Sequence, residues 1–257
     1  MYDDSISFVC CGRLMVPKST VYFGESIEEM TTISFFSFLI RTKEKNFLIN
    51  TGFPNNTSEI ERFWIRNDRR QKFLKVGTVF DLLSRFKLTP SDIDYVFLTP
   101  IVQYATGMVY KFQKAKVVLS SNGFLESMFH CVKSNSPDNL PGSFYFDSIN
   151  RNFFREWPSN VCPIGDCKFE KLSINVEHSG QHHTSSLLIS LDIKGKTISF
   201  TDSIFTARNL EERLPIGARY TNEYPKDLFD KLESSDIVIP MMDSGLETKY
   251  PTGIIHL

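Results

Sequence analysis

The sequence predicts a mixed α/β fold with two β-rich halves, and three observations carry that reading. Phe35 to Ile40 and Asn46 to Asn50 are β-rich runs separated by the polar Arg41-Thr42-Lys43-Glu44-Lys45, the layout of a hairpin. The second half repeats this plan with Leu187 to Leu191, a turn at Lys194-Gly195-Lys196, and Thr197 to Thr201. Between the halves, Val76, Val79, Phe80, Leu82, Leu83 and Phe86 recur at close to helical spacing, and the apolar runs Tyr95 to Leu98 and Val117 to Leu119 follow. Helix, strand, strand in series is an α/β signature. Two β meanders, one in each half, predict two facing sheets with helices on their outer faces.

The remaining elements follow in chain order. Glu59 to Lys75 holds six Lys/Arg and three acids with Phe63, Trp64 and Phe73 interleaved. It reads as an exposed amphipathic helix with its aromatic side buried, a nucleic-acid surface being the alternative. Lys75 to Phe86 is expected to be helical, and Thr89-Pro90-Ser91-Asp92 a turn. Asn122 to Val132 is expected to be helical. Residues 133–160 form a polar connection studded with Phe144, Tyr145, Phe146, Phe153, Phe154 and Trp157. A loop of that length reads as an aromatic lid over a cleft or as a docking segment. Pro225 to Leu232 reads as a helix, Asp236 to Pro240 as a short buried strand, and Met241 onward as a loop.

Length and composition narrow the function classes. The 257 residues fit a single domain spanning 1–257, large enough for an enzyme-sized core. A formal net charge of −1 gives no general attraction for nucleic acid or an anionic membrane, so neither is expected as a partner. Apolar stretches such as Ile33 to Ile40 fall far short of the roughly 20 residues a membrane helix needs. The N-terminus begins Met1-Tyr2-Asp3-Asp4, without signal-peptide layout, and the five cysteines are an odd count; both point to a reducing cytoplasm. Cys162 and Cys167 have no second pair to complete a structural zinc site. Cys10-Cys11 read as small buried side chains, because a nucleophile would need a depressed pKa. No internal repeat, glycine-rich phosphate loop or Gly-x-Ser-x-Gly elbow is present.

Three segments bring a family into view: Phe47-Leu48-Ile49-Asn50-Thr51-Gly52, Pro90 to Thr99, and Lys196 to Leu210 with its Phe200-Thr201-Asp202-Ser203-Ile204-Phe205. In order and spacing they resemble the metallo-β-lactamase-fold hydrolases, on the N-acyl homoserine lactonase-like branch, from about Phe35 to Pro251. The resemblance implies an αββα four-layer sandwich of two similar halves. It also implies a dinuclear metal site held by a His-x-His-x-Asp-His run, a later His, a bridging Asp and a last His.

The sequence departs from that ligand set. After Leu98-Thr99 the four positions of the run carry Pro100, Val102, Tyr104 and Ala105, and Met242 stands at the last His. Pro100, Val102 and Ala105 have no donor atom, the Tyr104 phenol ionises only near pH 10, and a thioether suits soft ions. His178, in a slightly expanded stretch, and Asp202 take the two surviving positions. The family's structural Asp is Asn50. A catalytic zinc normally takes three protein ligands, so the resemblance implies no metal-activated water here and no cofactor, a single zinc being the exception.

That exception rests on His178, His182 and His183 beside Asp202 as a rebuilt mononuclear site, although Ser179-Gly180 argues for an ordinary hydrogen-bonded loop. His256 would add a ligand only if the tail folded back, and termini fray. A Ser-His-Asp set from Ser179 or Ser185 lacks an elbow. Tyr104, His182, His183 and Asp243 are expected to line a vestigial pocket. The implied function is a catalytically degenerate member, used as a structural or regulatory subunit that pairs with a metal-competent homologue or with itself. The alternatives are a mononuclear or metal-free hydrolase of an ester, lactone or amide, and a pseudoenzyme that binds a small molecule.

Overall fold

The structure, a computed structural model, describes residues 4–125, 161–163, 173–219 and 227–257. Among these are twelve strands: β1 (Ser5–Pro17), β2 (Met30–Arg41), β3 (Asn46–Ile49), β4 (Phe73–Lys75), β5 (Tyr95–Phe97), β6 (Lys116–Leu119), β7 (Val161–Pro163), β8 (Ile174–His178), β9 (Leu187–Ile193), β10 (Lys196–Thr201), β11 (Ile237–Pro240) and β12 (Ile254–Ile255). They form an eight-stranded sheet in the order β12-β1-β2-β3-β5-β6-β7, with β4 also on β1, and a four-stranded sheet in the order β11-β10-β9-β8. Both expected hairpins are present: β2 pairs antiparallel with β3 and β9 with β10.

Alternation assigns each side chain to a layer. Phe36, Phe38 and Ile40 of β2, Phe47 and Ile49 of β3, Phe97 and Val118 point between the sheets, where they meet Leu187, Ile189, Leu191, Ile198 and Phe200. The Phe38 and Phe200 rings cross this layer at 5.1 Å. The opposite set, with Phe35, Leu39, Leu48, Val96 and Val117, packs outward against Ile60 and Trp64 of the helix Ser58–Asn67 and Val79, Leu82 and Leu83 of the helix Val79–Arg85. On the smaller sheet, Leu188 packs outward on Leu228, Phe229 and Leu232 of the helix Leu228–Glu233. Helix, sheet, sheet, helix is the expected four-layer order. Strands buried on both faces read as near-continuous apolar runs, which is why they stood out in the sequence.

The long first strand did not stand out, and its periodicity shows why. Ile6, Phe8 and Cys10 face the inner layer, but beyond a register shift between Cys10 and Gly12 the even positions Leu14 and Val16 face the outer one. A bulge inserts one residue and flips the alternation, so no single period-two pattern spans the strand. Burial pushes the Cys10 thiol up to about 12 and the Cys11 thiol up to about 11, so neither is an activated nucleophile.

Other boundaries also move. The helix expected from Lys75 starts at Val79, because Lys75 ends β4 and Thr78 with Asp81 forms a capping box. The basic helix stops at Asn67 and the chain turns into β4. The tail expected as a loop contains the helix Gly245–Lys249 and β12, which pairs with Ile6 and Ser7 of β1. The sheets are unequal among the described residues, so the two halves share a plan without sharing a size. The 133–160 segment, Cys131 and the Cys167 end of the cysteine pair lie outside the described residues. No helix among the described residues is long and apolar enough to cross a membrane.

Candidate functional site

The C-terminal ends of β3, β5, β6, β10 and β11 meet along one rim, the place where α/β sheets expose loops for chemistry. Immediately after β3, Asn50 takes a left-handed backbone (φ 60°), a conformation Asn tolerates better than most residues. Its amide clamps the chain after β5. Thr99 N–H donates to Oδ1 at 2.9 Å and Nδ2 donates to the Thr99 carbonyl at 2.8 Å. Thr51 fastens the next turn, its N–H and its hydroxyl both donating to the Ala105 carbonyl. Gly107 lies so close to this loop that a Cβ there would sit 2.2 Å from Pro54 N, so only glycine fits.

This clamped turn carries the four positions that the resemblance assigns to the ligand run. Pro100, Val102 and Ala105 are buried, and the Tyr104 ring packs 4.6 Å from Phe35. Met242, after β11, is buried in the same outer cluster as Phe205, Ile101 and Val109. Asp243 spends its carboxylate on the N–H groups of Ala207 and Gly245, each at 2.8 Å, and so ties two chain segments together.

Asp202, just after β10, is the one buried carboxylate among the described residues. Thr99 Oγ1 donates to its Oδ1 at 2.5 Å and Ser186 Oγ to its Oδ2 at 2.6 Å; His182 Nδ1 stands 3.1 Å from the same Oδ2. Burial by itself would raise the pKa of this group. The bonds from His182, Ser186 and Thr99 together outweigh burial and hold it below the usual carboxylate value. Facing an ionised carboxylate, His182 presents Nδ1 as the donor of this pair. Its ring meets Phe205 edge-on at 4.7 Å and His183 at 4.2 Å. Burial, reinforced by His182 and opposed by Asp202, pushes His183 down to about 3, so that ring is neutral at ordinary pH.

The histidines therefore part company. His178 ends β8 and lies 3.1 Å through Nδ1 from Ser120 Oγ, which also accepts from Gly123 N–H. The imidazole on Asp202 belongs to His182, four residues further on. His256 is exposed beside β12. The serines also sort differently from the sequence reading. Ser179 Oγ accepts from Ser203 and Thr201, and Ser185 Oγ accepts from Ile101 N–H, whereas the serine on Asp202 is Ser186. Thr99, Ser186 and Phe205 were missed because a hydroxyl or ring in an apolar run gives no signal until the sheets bring it opposite a carboxylate.

No protein-family model matches the sequence, and neither does any curated protein. Solved structures do. An N-acyl homoserine lactone hydrolase with N-hexanoyl-L-homoserine bound at its catalytic metal center superposes with a TM-score of 0.73 over 98% of this chain and 99% of that one, at 16% identity. A probable metal-dependent hydrolase from Staphylococcus aureus gives 0.68 over 94% and 90%, at 18% identity. The hydrolase AbOPH of the beta lactamase superfamily gives 0.67 over 100% and 90%, at 14%. The chain has the metallo-β-lactamase fold.

The metals that this fold implies do not fit the described residues. Among the described residues no three His, Cys, Asp or Glu side chains are grouped so as to hold an ion. The donor chemistry agrees: the run at 100–105 offers one phenol, position 242 a thioether, and both Asp202 oxygens already accept hydrogen bonds from protein donors. Two hydroxyls and an imidazole surround the Asp202 carboxylate in this structure.

Proposed function

We infer that this chain is a metal-free member of its fold, without hydrolytic activity of its own, that serves as a structural or regulatory subunit. The observation that carries the reading is the occupancy of the cleft by packing. Pro100, Val102, Ala105 and Met242 are buried apolar groups, and Asp202 is satisfied by Thr99, Ser186 and His182. Such an arrangement stabilises the fold with no cation to lower the pKa of a water or polarise a carbonyl. A partner copy or a metal-competent homologue then supplies whatever chemistry the assembly performs, and no cofactor is assigned to this chain.

A second reading has one observation in its favour. The Asp202 carboxylate orients the His182 imidazole through Nδ1, the arrangement that orients imidazoles in metal-free hydrolases. One experiment separates the two. The purified chain, chelated or loaded with zinc, manganese or cobalt, is assayed on generic lactones and aryl esters, and then co-expressed with a metal-competent homologue. The subunit reading expects background turnover in every metal condition and a stable mixed oligomer by native mass spectrometry. Turnover lost on His182→Ala would replace it with the metal-free hydrolase, and turnover lost to chelator would refute both.

A further inference from the structure

The basic segment 59–75 takes no part in the site described above. Its helix buries Ile60 and Trp64, and the Trp64 ring packs 5.1 Å from Phe73, so the aromatic side is used up in the core. Arg70 is held by Asp68 at 2.7 Å and by the Ile27 carbonyl, and Lys75 by the carbonyls of Pro54 and Asn55. Arg62, Arg66, Arg69 and Lys72 remain, all exposed and without an acidic partner among the described residues. Beside them Ile65 (49%), Leu74 (60%) and Val76 (45%) are exposed aliphatics.

The strand that carries Leu74 has an edge that pairs with no strand among the described residues, β4 pairing with β1 alone. Met15 N–H donates to the Lys72 carbonyl and Val76 N–H to the Cys11 carbonyl, so positions 72, 74 and 76 turn their main chain toward β1. By the alternation of an antiparallel ladder, the main-chain groups of Phe73 and Lys75 face away from it. An added strand would find main-chain hydrogen bonds there, the exposed Leu74 and Val76 in and after β4, and a cation excess in the chain that leads into it.

We propose that the β4 edge, with Arg62, Arg66, Arg69 and Lys72, is a docking site for an acidic extended segment of a partner protein, which joins the large sheet as a further strand. The like charges on this edge repel a second copy of β4 and admit an acidic strand, so one feature serves against self-pairing and for the partner. Single-stranded nucleic acid would need exposed rings for stacking, whereas Trp64 is buried and Phe63 and Phe73 pack partly buried against the core. A membrane surface would need a free apolar helix face, and that face is buried.

The test uses the full chain and a short fluorescein-labelled peptide of alternating Glu and Val, read by anisotropy. Its comparators are a Lys/Val peptide, the Glu/Val peptide N-methylated at alternate amides, oligo-dT, and vesicles containing phosphatidylserine. The expected result is saturable, salt-sensitive binding of the Glu/Val peptide only. That binding should weaken about tenfold in Arg66→Glu/Arg69→Glu and fall again in Leu74→Ser. These positions are exposed, and an unchanged urea midpoint checks that each variant folds. Equal binding of the Lys/Val or N-methylated peptide, indifference to the charge reversals, or binding of oligo-dT or vesicles alone would overturn the proposal.

Discussion

Asp202→Ala is expected to cost about 3–5 kcal/mol of folding stability, the range for removing one member of a buried charged network. The carboxylate receives Thr99, Ser186 and His182, and its removal leaves two buried hydroxyls and an imidazole N–H without their acceptor. Loss of a buried acceptor is more damaging than loss of an exposed one because no water replaces it. Urea unfolding of the two proteins in chelator measures the difference. The effect also has a pH signature. The Asp202 pKa lies below its usual value in the folded state, so its contribution is complete above the unfolded carboxylate pKa near 3.9 and is lost as pH falls through the folded value. The gap between wild type and variant should therefore hold at neutral pH and shrink only in acid. A gap under about 1 kcal/mol at pH 7 would mean that the three donors have other acceptors and that Asp202 does not organise the rim.

Asn50→Asp, which restores the residue expected of the resembled family, is predicted to destabilise this chain by about 2–4 kcal/mol. The Asn50 amide uses both its characters, accepting from the Thr99 N–H and donating to the Thr99 carbonyl. An ionised carboxylate has no donor for the second bond and would set an oxygen against the carbonyl oxygen at 2.8 Å. It would also bring a second negative charge to Thr99, whose hydroxyl already serves Asp202. Thermal melting of Asn50→Asp beside Asn50→Ser, which removes the clamp without adding charge, separates the two costs. If the Asp variant is as stable as wild type, the clamp is not what fixes the turn.

The parts of the fold that the sequence disclosed are those with one period and clear punctuation. The hairpins at Arg41–Lys45 and Lys194–Lys196, the parallel strands β5 and β6, and β11 ending at Pro240 each have an apolar run bounded by turn residues. β1 was hidden by its bulge, and the helix after β4 was misplaced because Val76 continued a helical spacing that the capping box at Thr78 interrupts. At the site, Asp202 and the positions 100, 102, 104, 105 and 242 were singled out by motif order, and the structure places 100, 102, 105, 202 and 242 in buried surroundings. Which histidine faces Asp202 could not be named, since His178, His182 and His183 lie within six residues and only the turn after β8 decides between them. The hydroxyls of Thr99 and Ser186 are ordinary strand and loop residues until the two sheets pack and bring them together across the rim.

The account rests on side chains occupying the place of metals, and the metal-to-protein ratio tests this most directly. Protein purified without chelator, and again after zinc loading and desalting, is measured by elemental analysis, with the thermal midpoint recorded in each state. The account predicts a ratio near zero in both preparations and a midpoint indifferent to zinc or chelator. A ratio near two, or near one and abolished by Asp202→Asn or His182→Ala with a matching fall in the midpoint, would contradict it.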